Sequence, residues 1–178
     1  GSAPGAGSGW RAVTQGLCRE HARRAGRRGR PSRVCRVDDL ERRLAARTLE
    51  LVDIPSPSGL EAEIRECLLG LVPPTLTLEQ AADEAYFFAS RQRPGAPLVV
   101  LAGHYDTVPE QANLPGRVEH GCVHGLGASD MKGGLAASIL AAETFIATCP
   151  DYRGAIEISA TADEESGGFG GVAYLAEQ

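Results

Sequence analysis

No stretch of the sequence approaches the roughly 18 apolar residues that a membrane-spanning helix needs. The longest mostly apolar stretch, from Leu135 to Ile146, is broken by Glu143 and Thr144, so no membrane association is expected. Paired cysteine motifs are also missing. Cys18, Cys35, Cys67, Cys122 and Cys149 are odd in number and scattered, with no Cys-x-x-Cys pair. Free thiols in a reducing, cytoplasmic compartment are the expectation. The absence of a GxSxG turn argues against a serine hydrolase of that type. "GLGASD" (125–130) is glycine-rich but lacks the GK[ST] ending of a phosphate-binding loop. The only methionine is Met131, while the chain starts Gly1-Ser2. A processed, engineered or shortened N-terminus is therefore expected.

The 178 residues present are enough for one domain with a real core, and 43% of them are hydrophobic. The net charge of -5 conceals a division. Residues 1–37 hold nine arginines against one acid, Glu20, whereas residues 38–178 hold nine basic against 22 acidic residues. An acidic body argues against nucleic-acid binding and suits a protein that gathers carboxylates around cations. Residues 1–37 are rich in Gly, Arg, Ser and Pro, lack an apolar period, and read as a disordered extension. Arg23-Arg24 does not make a twin-arginine signal, because "DDLERRLAAR" follows where an apolar segment is required. A transit peptide and a basic arm are the other readings of this head.

From Asp38 onward the pattern is that of an α/β domain. Leu40, Leu44, Leu49 and Leu51 recur at helical spacing, with Asp38 or Asp39 placed to cap. "DIPSPSG" breaks the chain, and a second helix is expected over 61–71, ended by Pro73-Pro74. Segments 75–79 and 84–90 read as short strands. The apolar run 98–102 predicts a strand buried on both faces. Residues 105–127 read as a long connection, 131–148 as a helix, 155–162 as an alternating strand, and 170–177 as the start of another helix. Strands alternating with helices predict a mixed, partly parallel sheet flanked by helices.

The acids and histidines fall at informative places in this pattern. His104 and Asp106 follow one predicted strand, and Asp163, Glu164 and Glu165 follow another. Ligands of open α/β sheets bind at the carboxyl ends of strands, where the loops converge. Asp130 stands at the start of the helix between them. A divalent cation explains such a cluster, since carboxylates brought together otherwise repel and hold protons. One imidazole with carboxylate oxygens suits zinc or a similar borderline ion. Each residue also has an ordinary structural reading. His104 could be a hydrogen-bonded histidine at a sheet edge, Glu164-Glu165 a solvated pair at a helix start, and Asp130 an N-cap. His120 and His124 form an HxxxH, but Gly121, Gly125 and Gly127 argue against the helix that chelation at this spacing requires.

"LAGHYDTVP" (101–109), "GLGASDMKGG" (125–134) and "TADEESGG" (161–168) resemble the three successive signatures of the M20 family of zinc aminoacylases, deacylases and exopeptidases. "DIPSPSGLE" (53–61) is similar to that family's N-terminal stretch. The resemblance covers roughly 38–178 and implies a three-layer catalytic domain, here partial. It implies that His104, Asp130 and Glu165 bind two zinc ions, for which cobalt can substitute, with Asp130 bridging. Asp106 then orients His104, and Glu164 is the general base that takes a proton from the attacking water and returns it to the leaving amine.

The family also uses a further acidic ligand, a C-terminal histidine ligand and a lid or dimerisation domain, all expected to lie beyond Gln178. The chain is therefore expected to be an N-terminal fragment, inactive alone, of a homodimeric parent. The implied activity is hydrolysis of an amide bond in an N-acyl amino acid or small peptide, of desuccinylase or deacetylase type. A carboxypeptidase or dipeptidase of the same family is the alternative, as is an incompetent fragment serving only as a binding module.

Overall fold

The computed structural model describes residues 34–81, 86–90 and 93–177. The expected extension therefore lies outside the described residues as far as residue 33, and its last four positions are helical. Helix α1 runs Val34–Val52 and so begins four residues before Asp38. Asp38 and Asp39 lie inside it rather than capping it, and Asp39 forms an exposed ion pair with Arg42 at 3.8 Å. Helix α2 spans Ala62–Leu71 and buries Ile64 and Leu68, the i and i+4 positions of one face.

Strands β1 (Thr77–Ala81), β2 (Tyr86–Ser90), β3 (Leu98–His104) and β6 (Ala155–Thr161) form one sheet in the order β1-β2-β6-β3. β1 and β2 are antiparallel, as are β2 and β6, whereas β3 and β6 are parallel, from Leu98 opposite Ala155 to His104 opposite Thr161. The sheet is thus mixed and partly parallel, as expected. Helix α3 (Lys132–Thr148) makes the crossover from β3 to β6, packing on both strands and on α1. Its buried Leu135, Ala136, Ile139, Leu140 and Ala142 join Leu51, Ile64, Leu68, Ile156 and Ile158 in the core. Full burial of one such aliphatic side chain contributes roughly 1.5–3 kcal/mol. A short helix α4 (Gly171–Glu177) closes the described chain.

Two sequence expectations are corrected. β3 is not the strand buried on both faces: Leu98, Val99 and Val100 are 52%, 56% and 43% exposed. β3 pairs only with β6 among the described residues, so it forms an edge and half of its surroundings are open. β6 lies between β2 and β3, and its Ala155, Ile156, Ile158, Ser159, Ala160 and Thr161 are all buried. The alternation read in 155–162 therefore concealed a mostly interior strand, whose second face carries Ala155, Ser159 and Thr161 beside the partly buried Glu157.

The stretch 105–127 also contains a hairpin of β4 (Arg117–Glu119) and β5 (Cys122–His124). Its two-residue turn, His120-Gly121, has φ of 49° and 82°, the double left-handed conformation that matches the twist of paired strands. The hairpin sits against α1. A Cβ on Gly116 would lie 2.6 Å from Val52 Cγ1, so only glycine allows this approach.

Candidate metal centre

Parallel pairing of β3 and β6 carries their two carboxyl ends to the same sheet edge. The pairing runs one residue further, with Tyr105 N donating to Thr161 O at 2.9 Å. Asp106 then turns fully inward, with no exposed surface. Its carboxylate accepts hydrogen bonds from Ser58 Oγ (2.7 Å), Glu164 N (3.2 Å) and Glu165 N (3.0 Å). Asp106 Oδ1 is also 3.3 Å from His104 Nδ1, and the Asp106 carbonyl oxygen is 3.1 Å from the same nitrogen. One buried acid thus holds the imidazole and the backbone of both glutamates.

This arrangement sets which ring nitrogen faces the exposed carboxylates. Nδ1 faces Asp106, and Nε2 faces outward, 3.0 Å from Asp130 Oδ1 and 3.7 Å from Glu164 Oε2. Ligand atoms of His104, Glu164 and Glu165 lie within 4.8 Å of one another. His104 and Asp106 form a buried floor, whereas the Asp130 and Glu164 side chains are 78% and 52% exposed. The structure therefore brings together the five residues to which the family resemblance gives roles. It also places Glu164, expected as the base, in the same 4.8 Å group as the expected ligand Glu165.

The electrostatics are those of acids crowded around one cation. The hydrogen bond to Asp106 raises the His104 pKa to about 9, against an opposing effect of burial and with further help from Asp130. Burial pushes Asp106 up, but bonds from His104, Ser58 and the Glu165 amide outweigh it and hold the carboxyl below its usual range. Burial is the first cause that raises Glu165, His104 opposes it, and the neighbouring acids Asp130, Glu164 and Asp106 raise it further. The donor set fits a borderline divalent cation: one imidazole nitrogen with its tautomer set by a buried carboxylate, converging with carboxylate oxygens.

The structural readings of these residues fare differently. Met131, not Asp130, occupies the cap position of α3, and no side chain caps it. Glu164 and Glu165 open a 3-10 turn, Glu164–Ser166, with Glu164 half exposed and both side chains grouped with His104. Asp163 takes the capping role: its carboxylate accepts from the amides of Gly170, Gly171 (3.0 Å) and Val172 (3.3 Å) at the start of α4. The run of three acids is thus divided between a cap and the site. His120 and His124 are exposed on the hairpin and are not among the grouped ligand atoms.

Sequence reasoning missed two contributors. Ser58 lies in the quoted "DIPSPSGLE", but its link to Asp106 spans 48 residues. Lys132, the only lysine in the chain, is fully buried and donates to Ile54 O at 2.6 Å, tying α3 to segment 53–58. Burial lowers its pKa to about 8, with Asp53 opposing. Below pH 8 the folded protein carries the whole cost of burying the charge. Between pH 8 and the ordinary value of about 10.5, the folded state loses the proton first and the cost is relieved. Stability of the wild type relative to Lys132→Met is expected to rise through that window by on the order of 3 kcal/mol. Urea unfolding of both proteins from pH 7.5 to 10.5 checks this, and parallel curves would count against it.

Comparison with known proteins agrees with this geometry. The profile described as peptidase family M20/M25/M40 matches residues 100–178, which contain His104, Asp106, Asp130, Glu164 and Glu165. A succinyl-diaminopimelate desuccinylase of Pseudomonas syringae pv. syringae is 34% identical over 140 residues, which is 72% of this chain and 37% of the relative. The chain thus spans little more than a third of that relative's length. The crystal structure of aminopeptidase PepT from Bacillus cereus ATCC 10987 is 25% identical with a TM-score of 0.58, over 71% of this chain and 38% of that one. An M20 family metallo-carboxypeptidase, Sso-CP2 from Sulfolobus solfataricus, shares the fold with a TM-score of 0.61 at 20% identity, over 75% of this chain and 34% of that one. With the signature residues inside the matched segment and a fold shared with solved relatives, residues 100–178 belong to the M20 family of peptidases.

Proposed function

We propose that this chain carries the metal-binding core of a hydrolase that cleaves an amide bond in an N-acyl amino acid, of desuccinylase or deacetylase type. The observation that carries the reading is the convergence of His104 Nε2 with three carboxylates at a parallel sheet edge, on a floor held by buried Asp106. His104, Asp130 and Glu165 would hold two zinc ions, with Asp130 bridging them and cobalt able to replace them. Bound there, such ions would supply Lewis acidity to the scissile carbonyl and to the attacking water. Asp106 keeps the Nδ1 proton of His104 on its own side, so that Nε2 offers its lone pair. Glu164, half exposed at the mouth, accepts the proton of the attacking water and delivers it to the leaving amine. We assign the described chain from the start of α1 at Val34 onward to the catalytic domain. The kinship with solved M20 peptidases favours a second reading, hydrolysis of a small peptide by the same residues.

The test combines zinc titration of the protein with hydrolysis assays. N-succinyl- and N-acetyl-amino acids and dipeptides are offered with zinc or cobalt. Zinc binding is expected to be lost in His104→Ala, and turnover to require the metal. Unchanged zinc affinity in His104→Ala and Asp130→Ala would overturn the site. Turnover of dipeptides alone would select the second reading.

A further inference from the structure

Segment 53–58 is strapped onto the end of β3 by two serines that do different work. Ser56 is buried; its Oγ donates to Tyr105 O at 2.8 Å, and its carbonyl accepts from Thr107 N at 2.8 Å. Both of these bonds reach backbone. Ser58 N donates to Thr107 O at 3.2 Å, beside a parallel bridge between Pro57 and Thr107. The Ser58 hydroxyl instead reaches the Asp106 carboxylate, at 2.7 Å from Oδ2. Rotation of a carboxylate about its last torsion is soft. A short O–H donor to an ionised acceptor is among the stronger neutral-donor bonds available to hold it.

The plane of that carboxylate matters because everything else in the centre refers to it. Oδ1 faces His104 Nδ1 and the Glu164 amide, while Oδ2 takes the Glu165 amide together with Ser58. If the carboxylate turned, the imidazole would lose its partner and the Glu164-Glu165 turn its anchor. We propose that Ser58 is a positioning residue of the metal centre, acting through Asp106 to hold His104 and the Glu164-Glu165 backbone in register. The inference rests on the metal-dependent reading above. It adds that the break before α2 completes the site, and that one hydroxyl of this segment, not the segment as a whole, carries the effect.

Ser56 supplies the control, since it fastens the same segment without touching a carboxylate. Ser58→Ala, Ser58→Thr and Ser56→Ala are compared for zinc affinity, by competition with a chromophoric chelator, and for amide exchange at Glu164 and Glu165 in the metal-free protein. Loss of a bond that orients a ligand typically costs about 10–100-fold in metal affinity. Ser58→Ala is expected to weaken zinc binding within that range and to speed exchange at both amides. Ser58→Thr, which keeps the hydroxyl, is expected to restore both, and Ser56→Ala to lower the unfolding midpoint while leaving zinc affinity in place. If Ser58→Ala does not fold, Ser58→Cys, a weaker donor of similar size, is expected to move both readouts in the same direction. Wild-type zinc affinity with unchanged exchange in the Ser58 variant would overturn the proposal, as would an equal loss of affinity in Ser56→Ala. If the wild type itself binds no zinc, the metal reading fails, and the exchange rates of the metal-free proteins still decide whether Ser58 holds this turn.

Discussion

Glu164→Gln is expected to lower kcat for amide hydrolysis by about 10²–10⁴-fold, the usual worth of a positioned base. Gln keeps the size of Glu and can still hydrogen-bond, but it cannot accept the proton of the attacking water. The side chain is well placed to accept it, with Oε2 3.7 Å from His104 Nε2 and the carboxylate half exposed at the mouth of the site. Glu165 is less exposed, and burial is the first cause of its raised pKa, as suits a group whose charge awaits a cation. The same substitution at Glu165 should therefore weaken zinc binding more than it slows turnover at saturating metal. Parallel measurement of kcat and zinc affinity in both variants separates the roles. Because the ligand atoms of both glutamates lie within 4.8 Å of the His104 nitrogen, an exchanged pattern is a definite outcome. Loss of zinc in Glu164→Gln with loss of rate in Glu165→Gln would reverse the assignment.

Asp106→Ala is expected to have the largest effect on the folded chain itself. Its carboxylate is wholly buried and holds Ser58 Oγ, two backbone amides and the His104 ring. Removing it strands these donors in a place water reaches poorly, at about 1–3 kcal/mol for each donor left unmet. Breaking a buried charged pair typically costs about 3–5 kcal/mol in total, a large part of the roughly 5–15 kcal/mol that stabilises a domain. Zinc affinity should fall with it, since Nε2 is no longer presented. Asp106→Asn keeps one acceptor oxygen and should be intermediate in both respects. Urea unfolding and zinc titration of the three proteins check this. A loss below about 1 kcal/mol in Asp106→Ala, less than one unmet donor should cost, would show that the surroundings repair the gap. Asp106 would then not be the centre of the arrangement.

Much of this protein is legible in its linear order. The helical stripe Leu135–Ile139–Ala142 predicts α3, and strand–helix alternation predicts a partly parallel sheet, because periods of 3.6 and 2 are local properties of the backbone. The position of His104 and Asp106 at the end of one strand, and of Glu164 and Glu165 just after another, is enough to place them at one edge once those strands are parallel. Tertiary structure alone decided which strand lies inside. Val99 and Val100 are as apolar as Ile156 and Ile158, yet the first pair is open and the second buried, because apolar content records a preference and not the neighbours that satisfy it. It alone divided three consecutive acids, sending Asp163 to the amides of α4 and leaving Glu164 and Glu165 for the site. It also supplied the bonds from Ser58 to Asp106 and from Lys132 to Ile54, which span 48 and 78 residues. Such bonds leave no periodic trace, since a hydroxyl or an ammonium finds its partner by the path of the chain in space.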